Sequence, residues 1–172
     1  VRAACDASLQ RLGVDHIDLY QLHRVDPATP VEETWGAFAG LVEAGKVRAI
    51  GLSEVTVEQL ETCHAIHPVA TVQSELSLWT RDWTADVLPW CRDNGVAYLP
   101  YAPLGRGFLT GALGQRTFDE KDFRSGLPRF SAENLAANQA LVDAVRAVAD
   151  RLGATPAQVA LAWVLAQGDA VV

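Results

Sequence analysis

The stretch His16-Ile17-Asp18-Leu19-Tyr20-Gln21-Leu22-His23-Arg24 decides how the chain reads. A short apolar run of strand-forming residues begins at Ile17 and closes on a histidine, His23. Before it, Val1, Ala4, Cys5, Leu9 and Leu12 recur at helical spacing and Gly13 ends the run, which predicts a helix over residues 1–13. After it, "TPVEETWGAFAGLVEAGK" (29–46) predicts a second helix, with Thr29 as N-cap, Pro30 at the first position, acids in the first turn and Gly45 at the end.

The same alternation continues outward. "VRAIGLS" (47–53), "VATVQSE" (69–75) and "VAYLPYA" (96–102) read as strands. Between them lie "TVEQLETCHAIH" (56–67), a helix capped by Thr56, and "DWTADVLPWCRDNG" (82–95), a helix or helical turn with Pro89 as its doubtful point. Strand starts near 17, 47, 70 and 97 with a helix in each gap give the rhythm of βαβ units and a parallel sheet. The rhythm breaks over 103–130, a Gly- and Pro-punctuated stretch long enough to be functional. Two helices follow at 131–153 and 155–168, each opened by a Ser or Thr cap, and "DAVV" reads as one more strand beginning. Open doubly wound sheets and (β/α)8 barrels both produce this order, and both place chemistry at the carboxyl ends of the strands. Those ends read His23, Ser53-Glu54, Gln73-Ser74-Glu75 and Tyr101-Ala102. One polar residue after a strand is turn chemistry; four ends in succession point to a shared site.

Composition narrows the function classes. The 172 residues are 49% hydrophobic and 20% charged, which supports one domain over 1–172 with a sizeable core. A net charge of −7 argues against a nucleic-acid surface, which needs a basic stripe. No run approaches the ~20 apolar residues of a membrane span, and "VRAACDASLQRLGVD" (1–15) lacks the apolar core of a signal peptide. Cys5, Cys63 and Cys91 are odd in number and widely spaced, so they read as buried free thiols of a reducing, cytoplasmic compartment rather than as disulfides or zinc ligands. His64 and His67 lie three apart on a helix but have no third ligand nearby in sequence, so no metal is expected. The spacing Gly105-x-Gly107-x-x-x-Gly111, with Pro103 intervening after the strand, fails as a dinucleotide-binding fingerprint.

"DLYQLHR" (18–24), "GKVRAIGLSE" (45–54), "VQSELSLWTRD" (72–82), "YLPYAPLGRGFLTG" (98–111) and "TPAQVALAWVLAQG" (155–168) resemble, in order and spacing, successive blocks of the aldo-keto reductases. The likeness covers essentially the whole chain and is nearest to the bacterial branch that writes "PLGRGFLTG" after its seventh strand. It implies a (β/α)8 barrel, entered in the helix before the family's fourth strand and left at the start of the eighth. It also implies NADPH as cofactor, a small carbonyl compound as substrate, and reversible hydride transfer between the two.

On that resemblance His23 is the family's catalytic histidine. The aspartate, tyrosine and lysine that complete the family's set belong to earlier strands, and the block that grips the 2′-phosphate follows the eighth. Ser53 and Gln73 would hold the nicotinamide carboxamide, and Tyr101 would stack on its ring. The backbone of Ala102, Pro103, Leu104, Gly105, Arg106 and Gly107 would wrap the pyrophosphate. Glu54 stands where Asn is common, which puts one contact to the amide in doubt because a carboxylate only accepts. Arg106, Arg124 and Arg129 would reach phosphates or remain solvated; Trp79 and Trp83 would line the substrate pocket or pack beneath the loop. The alternative is a non-catalytic, cofactor-sensing protein, a role the fold serves in the family's channel-subunit relatives.

Overall fold

A computed structural model describes residues 1–114 and 118–172. They form two compact units: Val1–Glu75 with Asp82–Tyr101 and Gly168–Val172, and Leu76–Arg81 with Ala102–Gln167.

The first unit runs α1 (Arg2–Leu12), β1 (Ile17–Leu22), α2 (Val31–Glu43), β2 (Val47–Ser53), α3 (Val57–Ile66), β3 (Thr71–Glu75), a 3-10 turn (Asp82–Thr84), α4 (Val87–Asp93) and β4 (Ala97–Tyr101). The four strands pair in parallel in the order β1-β2-β3-β4. Each crossover therefore steps the same way, as in a barrel; a doubly wound sheet reverses direction at a switch point. The expected strand in "DAVV" is present as a parallel bridge from Val171 to Tyr98.

One local expectation changes, and one open point is settled. Thr29 does not cap α2. A residue before proline is kept out of the helical region, so the boundary moves to Pro30 (φ −51°, ψ 132°), and the Thr29 hydroxyl turns back to donate to Asp26 Oδ2 at 3.4 Å. Pro89 does not interrupt α4: it is the third helical residue, where the backbone N–H has no intrahelical partner to lose, and Asp86 caps the helix by accepting from Val87 N–H.

Side chains of α2 cover the sheet. Trp35, Phe38 and Leu41 are buried, Phe38 stacks on Tyr20 of β1 (centroids 5.4 Å apart), and the Trp35 indole N–H donates to the His67 carbonyl at 3.0 Å. Ile50, Leu52, Val72 and Tyr98 bury completely on the strands; a full burial of this kind contributes about 1.5–3 kcal/mol.

The second unit holds three 3-10 turns (Gly105–Thr110, Phe123–Gly126, Pro128–Phe130), then α5 (Ala132–Leu152) and α6 (Pro156–Leu165). Its core is Phe108, Leu109, Phe130, Leu135, Val142 and Ala160, with Trp79 packed against them. Both helices open on the expected caps: Ser131 Oγ accepts from Asn134 N–H, and Thr155 forms a reciprocal capping box with Gln158. All three cysteines are buried and free. Burial pushes the Cys63 thiol up to about 11 and the Cys91 thiol up to about 12. No helix among the described residues is long and apolar enough to cross a membrane.

Candidate functional site

Strand register gathers the polar residues of the first unit on one face. Gln21 pairs with Gly51 and Gly51 with Thr71; two residues on, Ser53 pairs with Gln73 and Gln73 with Leu99; beyond them Glu75 pairs with Tyr101. Residues two apart on a strand share a face, so Gln21, Ser53, Thr71, Gln73, Glu75 and Tyr101 lie together. Tyr20, Leu22, Ile50, Leu52, Val72 and Tyr98 take the opposite face, against the helices. His23 follows β1 with an exposed ring that has no hydrogen-bond partner among the described residues.

At the carboxyl ends the contacts are specific. Arg24 donates from Nη1 to its neighbour's carbonyl at His23 and, at 3.1 Å, to Ser53 Oγ. Ser53 is buried, and its hydroxyl keeps its own proton to donate. The Gln73 amide is half-buried with no side-chain partner among the described residues. Glu54 has φ 54°, in the left-handed region that Asn tolerates far better than Glu. Its Oε1 accepts the Glu75 backbone N–H at 2.9 Å. Burial and the neighbouring carboxylates of Glu54 and Glu75 raise the Tyr101 pKa, while Arg24 draws it down. A hydroxyl, a primary amide and a flat ring on one face can hold a planar, amide-bearing heterocycle: the hydroxyl and amide match its donor and acceptor, and the ring offers a stacking surface.

Strain also marks the glycine loop of the second unit. Ala102, Gly105, Arg106 and Gly107 all have positive φ (52°, 57°, 55° and 95°), two of them without being glycine. Such strain concentrates at functional turns. The Gly105 and Gly107 N–H groups donate to the Ala102 and Leu104 carbonyls at 2.8 and 3.1 Å, so these two amides close the loop on itself. Gly105 also leaves little room for a side chain, since a Cβ there would lie 3.0 Å from Trp79. Trp79 packs under the loop, tilted against Phe108 with centroids 4.2 Å apart. The arginines are braces. Arg124 pairs with Asp122 at 2.6 Å, lies 4.4 Å over the Phe118 ring and donates to the Arg106 carbonyl; Arg129 sits 5.0 Å over Trp79 and donates to Thr80.

Trp83 is half-buried in its 3-10 turn. The imidazoles on α3 are engaged structurally: His64 accepts the Val69 N–H and meets Trp90 edge-on, and the His67 ring bonds the Pro68 carbonyl. Sequence reading missed Gln21, Thr71 and Arg24. The first two were accessible from the two-residue alternation that leads back from His23 and Gln73; nothing in the sequence pointed to Arg24 reaching Ser53.

Comparison with known proteins sets this geometry in context. The model of the aldo/keto reductase family matches residues 1–172. The chain is similar to "Probable aldo-keto reductase 1" of Glycine max, 48% identical over 172 residues, all of this chain and 50% of that protein. Among solved structures it resembles the glycerol dehydrogenase AKR11B4 from Gluconobacter oxydans (TM-score 0.89, 36% identity, 97% of this chain and 51% of that one). It also resembles the thermostable aldo-keto reductase Tm1743, solved with the inhibitor epalrestat (TM-score 0.72, 30% identity, 98% and 52%). The chain thus spans about half the length of the relatives it matches. The parallel sheet, its unreversed strand order and these matches agree on part of a (β/α)8 barrel, and the chain belongs to the aldo/keto reductase family.

Proposed function

We propose that the protein is an NADPH-dependent aldo-keto reductase that reversibly interconverts small aldehydes or ketones and alcohols, and that the described residues are part of one barrel domain. The observation that supports this most is the register pair Ser53–Gln73, with Tyr101 on the same face at the strand ends. In this reading Ser53 donates to, and Gln73 bonds, the cofactor's carboxamide, which fixes which face of the ring is presented. Tyr101 provides the apolar platform beneath it. In the second unit, the strained turn at Ala102, Pro103, Leu104, Gly105 and Gly107 is the pyrophosphate segment, its glycines allowing the phosphates to approach the backbone closely. His23 donates a hydrogen bond to the carbonyl oxygen of the substrate and orients it. When bound, the nicotinamide supplies the hydride.

The test is a fluorescence titration of the whole protein with NADPH, in parallel with Gln73→Ala, followed by an aldehyde-reduction assay. Binding that weakens about tenfold in the variant, the order expected for losing a buried polar contact, supports the site. Binding without turnover favours a cofactor-sensing role, and absence of binding by folded protein removes the cofactor assignment.

A further inference from the structure

His23 and Ser53 stand at the ends of neighbouring strands, and one guanidinium serves both. Arg24 Nη1 donates to the His23 carbonyl just after β1 and, at 3.1 Å, to the hydroxyl of Ser53, the last residue of β2. Ser53 is 2% exposed, so its hydroxyl is cut off from bulk water. A hydroxyl has one proton to donate and two lone pairs that accept, and the proton rotates to suit its neighbours. A guanidinium only donates, so towards Arg24 the Ser53 oxygen is an acceptor and its proton turns away. No acceptor for that proton is present among the described residues. A buried donor without an acceptor is costly, so the hydroxyl is set to give its proton to a ligand on the polar face.

The neighbouring groups supply the complement. Gln73, the register partner of Ser53, has an amide oxygen that accepts as well as an NH2 that donates. Glu54, next in the chain, takes the Glu75 N–H and as a carboxylate has no proton to give. We propose that Arg24 is a positioning residue: by occupying the Ser53 oxygen it makes Ser53 the donor, so that a primary carboxamide binds with its C=O on Ser53 and its NH2 on Gln73 Oε1. The inference rests on the functional reading above, in which that carboxamide belongs to the nicotinamide. Fixing the amide end for end fixes which face of the attached ring is offered for hydride transfer.

The experiment is a fluorescence titration of the whole protein with two cofactors, NADPH and its reduced 3-acetylpyridine analogue. The analogue keeps the carbonyl and carries a methyl group in place of the NH2. The variants are Arg24→Met, which keeps an apolar stem and removes the donors, Ser53→Ala, the two combined, and Gln73→Ala. Arg24→Met is expected to weaken NADPH binding about fivefold and Ser53→Ala about tenfold, with the double variant no weaker than Ser53→Ala alone. Both losses should be as large with the analogue, whereas Gln73→Ala should lose about tenfold with NADPH and little with the analogue. Parent-like binding by Arg24→Met overturns the inference and leaves the functional reading standing. So does an Arg24→Met loss that persists in full beside Ser53→Ala, because the cation then acts as a charge on the anionic cofactor and not through the hydroxyl. A Ser53→Ala loss that vanishes with the analogue also overturns it, since Ser53 would then accept from the NH2; that comparison needs no Arg24 variant to fold. Absence of binding by the folded parent rejects the functional reading and the inference together.

Discussion

Gln21 reaches across a strand to Thr71: its Nε2 donates to Thr71 Oγ1 at 3.0 Å, over the backbone of Gly51 on the strand between. The row closes because Gly51 has no side chain. A Cβ there would lie 2.1 Å from Thr71 Oγ1, 2.9 Å from the Thr71 carbonyl oxygen and 3.1 Å from Gln21 Cγ. This row lies two residues below the Ser53–Gln73 pair on the same face, so it sets the floor on which the proposed site rests.

Gly51→Ala is therefore expected to destabilise the fold by about 1–3 kcal/mol, the usual cost of overpacking, read from urea unfolding. Adding Thr71→Ala removes the hydroxyl clash but leaves the carbonyl contact, so the double variant should regain only part of the loss. Full recovery would mean that the hydroxyl alone enforces the glycine.

Gly105 carries a different constraint. Its φ of 57° is left-handed and a Cβ there would lie 3.0 Å from the Trp79 ring. Gly105→Ala should lower stability by about 1–2 kcal/mol from the backbone alone and perturb the near-ultraviolet circular dichroism of the tryptophans. An unchanged spectrum would show that Trp79 does not depend on the loop's closeness.

The capping boxes give a test of helix ends away from the site. Thr155 Oγ1 accepts the Gln158 N–H while the Gln158 side chain accepts from Thr155 N–H. Thr155→Ala should cost about 1 kcal/mol in chemical denaturation. Thr56→Ala, which breaks the equivalent pair with Gln59, should cost a similar amount.

Fold and site were legible to different depths. Strand β2 was read residue for residue because Val47–Ser53 lies between clear punctuation at Gly45 and Thr56. Gly13 and the caps at Thr56, Ser131 and Thr155 followed from local chemistry. Thr29 misled because the restriction that proline places on the residue before it outweighs a good capping side chain. The polar strand ends were visible, since their spacing alone marks them. The fates of Arg124, Arg129 and Glu54 were not, because their partners Asp122, Trp79 and the Glu75 backbone are chosen by folding: a charge in sequence does not reveal whether it faces solvent, a ligand or a neighbour.

The cysteines give the pH prediction its sign. In the folded protein the thiols of Cys63 and Cys91 are pushed up to about 11 and about 12, against about 8.5 in an unfolded chain. Above that lower value the unfolded state releases protons that the folded state retains, so the stabilisation is complete below about pH 8.5 and is lost as pH rises toward 11 to 12. Stability by urea unfolding should thus decline through that alkaline window, and Cys91→Ala, though less stable overall, should show a shallower decline. In the native protein at about pH 8, a thiol reagent should label neither residue appreciably, because both are buried and protonated. Prompt labelling of either in the folded state would mean that its core opens locally, and would place that opening near α3 or α4.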